Sequence, residues 1–366
     1  MVEKRIIIAG GGTGGHIFPA IAIGNALKKI DSSIQLLFVG AKGKMEMEKI
    51  PEAGFEIKGI DIAGFNRSSL IKNIGLPVKL LKSFYQVKKI FQEFKPDAVL
   101  GVGGYSSYPV LKYGQVKNLP TFIHESNSFA GKSNILLGKK ATKVFVATDG
   151  MEKFFPAKSI MITGNPVRPS INSIDSINKN DALQFFGLTN EKKTLLAVGG
   201  SLGAKSVNEA IANGLVQLSK CGLQLIWQTG KPYVAKGKEQ AAGMSSVWVN
   251  DFITRMENAY AAADIVVSRA GAIAIAELCI VKKPVVFVPY PYAAEDHQTM
   301  NAKNLVDKNA AVMVRDNEAS EKLVNEIINL LNNESRQNEL RNNISKYAVA
   351  DADKRIATEI MKYLNN

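Results

Sequence analysis

The stretch Arg5-Ile6-Ile7-Ile8-Ala9-Gly10-Gly11-Gly12-Thr13-Gly14-Gly15-His16 decides the fold. Its first five residues are a short β-branched run that reads as a buried strand. Ile17, Ala20, Ile21, Ala22 and Leu27 open an apolar helix after it. The glycines therefore form a tight strand-to-helix turn at the head of a sheet. Glycine is needed there where φ is positive or where a bulky partner approaches the backbone. A helix N-terminus offers N–H groups and partial positive charge to an anion. Taken alone, the loop reads equally as a turn that only packs helix on strand. Gly10, Gly12 and Gly15 also fit Gly-x-Gly-x-x-Gly formally. A dinucleotide site wants an acidic residue roughly 20–25 positions further on, ending the second strand. Here Leu36-Leu37-Phe38-Val39-Gly40 ends in Ala41-Lys42, with no carboxylate, and His16 is foreign to that pattern.

Outward from this stretch, strands are expected at residues 5–9, 34–39, 56–60, 98–102, 121–124 and 143–147, alternating with helix-length connections. That alternation predicts an α/β fold with a parallel sheet covered on both faces, its function at the carboxyl ends of the strands. Gly101-Val102-Gly103-Gly104-Tyr105 and His124-Glu125-Ser126-Asn127 fall at such ends. Gly164-Asn165-Pro166-Val167-Arg168-Pro169 is the expected domain boundary, because two prolines force extended backbone. The opening pattern then repeats as Thr194-Leu195-Leu196-Ala197-Val198, Gly199-Gly200-Ser201-Leu202-Gly203-Ala204 and a helix. Further strands are expected at residues 223–228, 247–249, 265–268, 285–288 and 311–314, with a helical tail from Glu318. Two similar domains facing a cleft are the simplest arrangement, residues 1–168 and 169–345, with a C-terminal helix near 346–366 packing back on the first.

The chain has 366 residues, is 46% hydrophobic and 22% charged, and carries a formal net charge of +13. That excess favours an anionic partner: phosphorylated substrates, an acidic membrane surface or nucleic acid. Aromatic and basic residues are not interleaved, so nucleic acid ranks lowest. Cys221 and Cys279 stand alone and read as buried thiols in a reducing compartment. The N-terminus enters a strand at once, and no apolar run is long enough to span a bilayer, so a cytoplasmic protein is expected. After Pro77, Leu81, Phe84, Val87, Phe91 and Phe94 form one apolar stripe at helical spacing. Leu76 and Leu80 lie off it beside Lys72, Lys79 and Lys82, which is either a solvated basic face or a patch that meets a membrane.

Ser268-Arg269-Ala270-Gly271-Ala272-Ile273-Ala274-Ile275-Ala276-Glu277 follows a strand and opens a helix whose first turn is rich in small residues. An anion can reach its backbone N–H groups, and Glu277 suits ribose hydroxyls; it reads equally as an ordinary acid on a core helix. Glu295-Asp296-His297-Gln298 offers carboxylates and amides to sugar hydroxyls, or simply caps a helix. No Asp-x-Asp lies at a strand end, so neither metal nor cofactor is expected. Candidate general bases are His16, His124 and Glu125.

Taken together, Gly11–His16 with Pro19, Gly101–Tyr105, His124-Glu125-x-Asn127, Gly164–Arg168, Gly199-Gly200-Ser201-x-Gly203-Ala204, Ser268-Arg269-x-Gly271-Ala272 and Asp296-His297-Gln298 resemble the bacterial MurG family of glycosyltransferases across nearly the whole chain. The resemblance implies a GT-B fold of two Rossmann-like domains. It implies inverting transfer of N-acetylglucosamine from UDP-GlcNAc to lipid I, giving lipid II for peptidoglycan, by an enzyme peripheral on the cytoplasmic face of the plasma membrane. Thr13, Gly14 and Gly15 would then lie near the donor phosphates or the acceptor diphosphate, and Asn127 near the sugar. Arg168 and Ser201 would meet the nucleotide, backbone at Ile253 the uracil, and the N–H groups from Ala272 through Ile273, Ala274, Ile275 and Ala276 the diphosphate. Glu277 would hold the ribose and Gln298 the GlcNAc hydroxyls. Ser126 stands where family members often have Gln, and Ala274 where many have Thr. Two other readings are another UDP-sugar enzyme of this fold, a glycolipid synthase or UDP-GlcNAc 2-epimerase, and a non-catalytic nucleotide-binding module. The basic patch argues against the epimerase, whose substrate is soluble.

Overall fold

The computed structural model describes residues 3–64, 75–200 and 202–365, which divide into two compact units. Unit 1 comprises Met1–Val167 and Asp351–Asn366, and unit 2 is Arg168–Ala350. Among the described residues of unit 1, the strands are β1 (Arg5–Ala9), β2 (Gln35–Ala41), β3 (Glu56–Ile60), β4 (Ala98–Gly101), β5 (Thr121–Glu125), β6 (Lys143–Val146) and β7 (Ile160–Ile162). The helices are α1 (Gly14–Ile30), α2 (Glu46–Glu52), α3 (Leu76–Phe94), α4 (Ser107–Val116) and α5 (Lys132–Gly138). The sheet order is β3-β2-β1-β4-β5-β6-β7, and every pairing is parallel. Alternation along β1 sends Ile6 and Ile8 into one core with α1, and Ile7 and Ala9 into the other with α3 and α4. Both faces are covered, which is why β1 reads as a continuous apolar run. β7 was not expected: Ile160-Met161-Ile162 is apolar but only three residues long, and as an edge strand it is only partly buried.

Unit 2 repeats the plan with β8 (Lys193–Val198), β9 (Leu223–Gln228), β10 (Val247–Asn250), β11 (Ile265–Ser268), β12 (Val285–Phe287) and β13 (Val312–Met313), in the order β10-β9-β8-β11-β12-β13, again all parallel. Its helices are α6 (Pro169–Asn172), α7 (Lys179–Phe185), α8 (Lys205–Lys220), α9 (Val234–Gln240), α10 (Met256–Ala262), α11 (Ala272–Val281), α12 (His297–Val306), α13 (Ala319–Leu331) and α14 (Glu334–Ser345). The chain then returns to unit 1 as α15 (Ala352–Asn365), burying Ile356, Ala357 and Ile360 in the core that holds Ile6, Ile23 and Phe122.

Two expectations are corrected. On α3, Leu81 is 73% exposed rather than part of the core stripe. The buried face is Ser83, Val87, Ile90 and Phe91, and Leu81 lies about 200° around the helix from Ser83. Leu76 and Leu80 are half-buried and Lys79 is exposed, while Lys72 lies outside the described residues. Lys82 bonds Asp61 at 3.0 Å, and Asp61 also accepts from Gln86 (2.6 Å) and Lys42 (3.1 Å). Those hydrogen bonds, that from Lys82 foremost, hold the Asp61 carboxyl far below the usual range. Cys221 is exposed rather than buried; Cys279 is buried, and burial pushes its thiol up to about 12.

Candidate active site

In each unit the strand order reverses beside the first strand, between β1 and β4 and between β8 and β11. Ligands of open parallel sheets bind at such points, at the carboxyl ends of the strands. In unit 1 the loops after β1 and β4 meet there. Gly11 N donates to Gly103 O at 3.3 Å. A Cβ on Gly104 would stand 2.3 Å from Gly11 O, so only glycine allows this approach. Thr13 caps α1 in extended conformation, its carbonyl accepting from His16 N and Ile17 N. The His16 ring lies against Gly103, with Nδ1 3.0 Å from Gly11 O and 3.4 Å from Thr13 Oγ1. A carbonyl can only accept, so Nδ1 carries the proton and Nε2 the lone pair.

The other two candidate bases are differently placed. His124, on β5, is 1% exposed, and neither ring nitrogen completes a hydrogen bond; the Gly164 backbone and Asn165 are its polar neighbours. Burial lowers its pKa to about 4, so it is a neutral ring inside the sheet at pH 7. Glu125 is 3% exposed and accepts from Asn127 N (3.1 Å), Asn127 Nδ2 (3.2 Å), Gly131 N (3.0 Å) and Asn134 Nδ2 (2.8 Å). A carboxylate so occupied organises the turn after β5, and through it orients Asn127.

In unit 2, Gly271 caps α11 in extended conformation, its carbonyl accepting from Ile275 N at 3.0 Å. Ala272, Ile273, Ala274, Ile275 and Ala276 are half-exposed, and no acidic side chain stands in the first turn. Arg269 fixes this terminus by donating to Val288 O (2.9 Å), Pro289 O (3.2 Å) and Asp316. Glu277 and Arg168, expected as separate contacts, are joined: Arg168 Nε donates to Glu277 Oε1 at 2.7 Å, and Tyr260 Oη to Oε2 at 3.1 Å. Burial raises the Glu277 pKa, and Arg168 and Tyr260 counter it. Gln228 Nε2 donates to Gly200 O at 2.9 Å, and Ile253 N donates to Gln228 Oε1 at 2.9 Å, so the Ile253 N–H is already engaged. Gln298 Oε1 accepts from Tyr290 N at 2.9 Å, which turns the amide NH2 away from that loop. Just before α12, Glu295 and Asp296 both adopt left-handed backbone (φ 52° and 54°), strain of a kind that collects at ligand sites. Ser201 lies outside the described residues.

Sequence reasoning missed Glu46, Tyr260 and the role of Arg269. Glu46 opens α2 and turns its carboxylate inward onto Gly12 N (2.8 Å) and Ala41 N (3.0 Å). A carboxylate does stand just beyond β2, but it faces the loop rather than a ribose. Its signal in the sequence is one acid among Lys44-Met45-Glu46-Met47-Glu48, with nothing to distinguish it from Glu48. Tyr260 sits in an apolar helix and carries no signal.

The two units match two family models. The glycosyltransferase family 28 N-terminal domain covers residues 6–146 and the C-terminal domain residues 194–356. A protein of Parabacteroides distasonis is 50% identical over 100% of both chains, and one of Phocaeicola vulgatus 48% identical over 98% of this chain and 96% of its own. Both are named UDP-N-acetylglucosamine–N-acetylmuramyl-(pentapeptide) pyrophosphoryl-undecaprenol N-acetylglucosamine transferase. The crystal structure of Acinetobacter baumannii MurG superposes with a TM-score of 0.81 at 30% identity, covering 98% of this chain and 99% of that one. The fold is GT-B, built from two parallel-sheet domains. The chain belongs to glycosyltransferase family 28, among the MurG-type N-acetylglucosaminyltransferases.

Proposed function

We propose that this chain transfers N-acetylglucosamine from UDP-GlcNAc to lipid I, making lipid II for peptidoglycan. The observation that carries this reading is its 48% and 50% identity, over nearly the whole chain, to transferases named for that reaction. Unit 2 takes the donor. The N-terminus of α11 and Arg168 face the diphosphate and stabilise the charge that grows as UDP leaves. Glu277, held in place by Arg168 and Tyr260, accepts from the ribose hydroxyls, and the Gln298 amide donates to the sugar. Unit 1 takes the acceptor. His16 Nε2 removes the proton from the attacking hydroxyl, which displaces UDP from the anomeric carbon with inversion. Asn127 orients the sugar beside it, and the N–H groups of Thr13, Gly14 and Gly15 receive an acceptor phosphate.

A polyprenyl-linked acceptor brings unit 1 to an anionic membrane surface, at the cytoplasmic face if lipid I is the acceptor. Support comes from α3, whose outer face exposes Val78 (69%), Leu81 (73%) and Tyr85 (58%). α4 packs between α3 and α5 and adds exposed Val116, and α5 adds exposed Leu136. Lys79, Lys88, Lys89, Lys117, Lys132, Lys139 and Lys140, on or next to these three helices, are all exposed. Among the described residues no helix is long and apolar enough to cross a membrane, consistent with peripheral attachment.

The test is incubation of the purified protein with UDP-GlcNAc and a short-chain lipid I analogue. UDP release matched by a β-linked disaccharide product is expected. Turnover of UDP-GlcNAc without acceptor would mean an epimerase, and binding without turnover a nucleotide-binding module.

A further inference from the structure

Glu46 takes no part in the scheme above, yet it is the charged group most tightly built into the glycine loop. It is 1% exposed, with both carboxylate oxygens on backbone donors: Oε2 on Gly12 N (2.8 Å) and Oε1 on Ala41 N (3.0 Å). Two glycines make room for it. A Cβ on Gly11 would lie 2.2 Å from Glu46 Oε1, and one on Gly40 2.5 Å from Glu46 Cγ. The loop so held is the one whose Gly11 carbonyl meets His16 Nδ1 at 3.0 Å.

We propose that Glu46 is a positioning residue for the transfer: its buried carboxylate anchors the Gly10–Gly12 turn so that the Gly11 carbonyl keeps the His16 proton on Nδ1 and the lone pair on Nε2. This rests on His16 being the base. The Gly11 peptide is clamped on its other side by Gly103 and Gly104, so a shift of the turn moves the carbonyl against His16 Nδ1. Unit 2 supplies the contrast. There a neutral amide, Gln228, bonds Gly200 O beneath the corresponding glycine loop. Holding a glycine turn thus needs no charge, and the carboxylate stands under the loop that carries the histidine. A misplaced or wrongly protonated imidazole loses proton transfer while donor binding in unit 2 is untouched.

The test is a double-variant cycle in the full chain. In Glu46→Gln the shape is kept, but because both oxygens accept backbone N–H groups, the amide NH2 must face one of those donors. Glu46→Gln is expected to lower kcat about ten- to a hundredfold with KM for UDP-GlcNAc near wild type, and to lower the thermal midpoint because one buried backbone N–H loses its acceptor. In a His16→Ala background it is expected to change kcat less than about twofold, since a residue that acts through another adds nothing once that one is gone. If His16→Ala is slow and Glu46→Gln slows it further by its full factor, Glu46 does not act through His16 and the proposal is wrong, while His16 remains the base. Near-wild-type kcat in His16→Ala alone overturns the base assignment and this proposal with it. Should Glu46→Gln not fold, Gly11→Ala disturbs the same contact from the loop side. It is expected to lower kcat and to show the same non-additivity with His16→Ala; additivity there overturns the proposal.

Discussion

Burial raises the Glu277 pKa above the usual carboxylate value, and the hydrogen bonds from Arg168 and Tyr260 offset that only in part. Its substitution therefore reports on the nucleotide only if the pair is not simply orphaned. Glu277→Gln keeps the volume and one acceptor oxygen, and is expected to raise KM for UDP-GlcNAc by about tenfold or more, since hydrogen bonds to a charged group contribute roughly 1.5–3 kcal/mol. Initial rates against donor concentration check this, and an unchanged KM sinks the ribose contact. For His16→Ala the expected loss is in kcat, on the order of 10²–10⁴, with UDP affinity by calorimetry unchanged. His124 gives a pH signature of stability instead. Its folded pKa is about 4 against an ordinary 6.5, so between those values the unfolded chain binds the extra proton. Stability is thus independent of this group above pH 6.5 and falls as pH drops toward 4, by on the order of 3 kcal/mol. Denaturant titrations at pH 7, 5.5 and 4.5 should show that slope, and His124→Gln should flatten it.

Among the elements, α3 separates pattern from packing. Its sequence offers several apolar residues, and neighbouring α4 selects which are buried, through Phe91 on Tyr113 at 4.9 Å and Phe84 on Tyr108 at 6.4 Å. Val78, Leu81 and Tyr85 are left outside, and Lys82 is turned onto Asp61. If this face meets the bilayer, replacing Val78, Leu81 and Tyr85 together by Ser should weaken sedimentation with acidic vesicles by at least about tenfold, because each buried apolar side chain is worth roughly 1.5–3 kcal/mol. Transfer to a short-chain soluble acceptor should be spared. Added salt should weaken wild-type binding through the surrounding lysines. Wild-type sedimentation by the triple Ser variant would make α3 a solvated helix face.

Across the whole molecule, the first unit is closed by the last helix of the chain. Ile356 and Ile360 are fully buried against residues near the N-terminus, and Phe122 meets Tyr363 edge-on at 5.7 Å. Ile360→Ala should destabilise unit 1 by about 2–5 kcal/mol, read as a lower denaturant midpoint, with UDP binding by unit 2 retained in native conditions. Equal loss of stability in both units would show that they unfold together. Much of this architecture is legible in the chain itself. β-branched runs such as Ile6-Ile7-Ile8 and Ile265-Val266-Val267, each followed by a glycine-containing turn and a helix, encode two parallel sheets, because buried parallel strands must be apolar throughout. The glycine loops and the α11 terminus are legible for the same local reason: backbone that approaches a neighbour or an anion excludes side chains. What only the tertiary structure decided is which polar groups are spent on the protein itself. Glu46 on Gly12, Glu125 on Asn134, Arg168 on Glu277, and His124 sealed within the sheet each depend on contacts between elements. A carboxylate or imidazole is the same letter in the sequence whether it faces a substrate or a backbone N–H, and only folded proximity and burial separate the two.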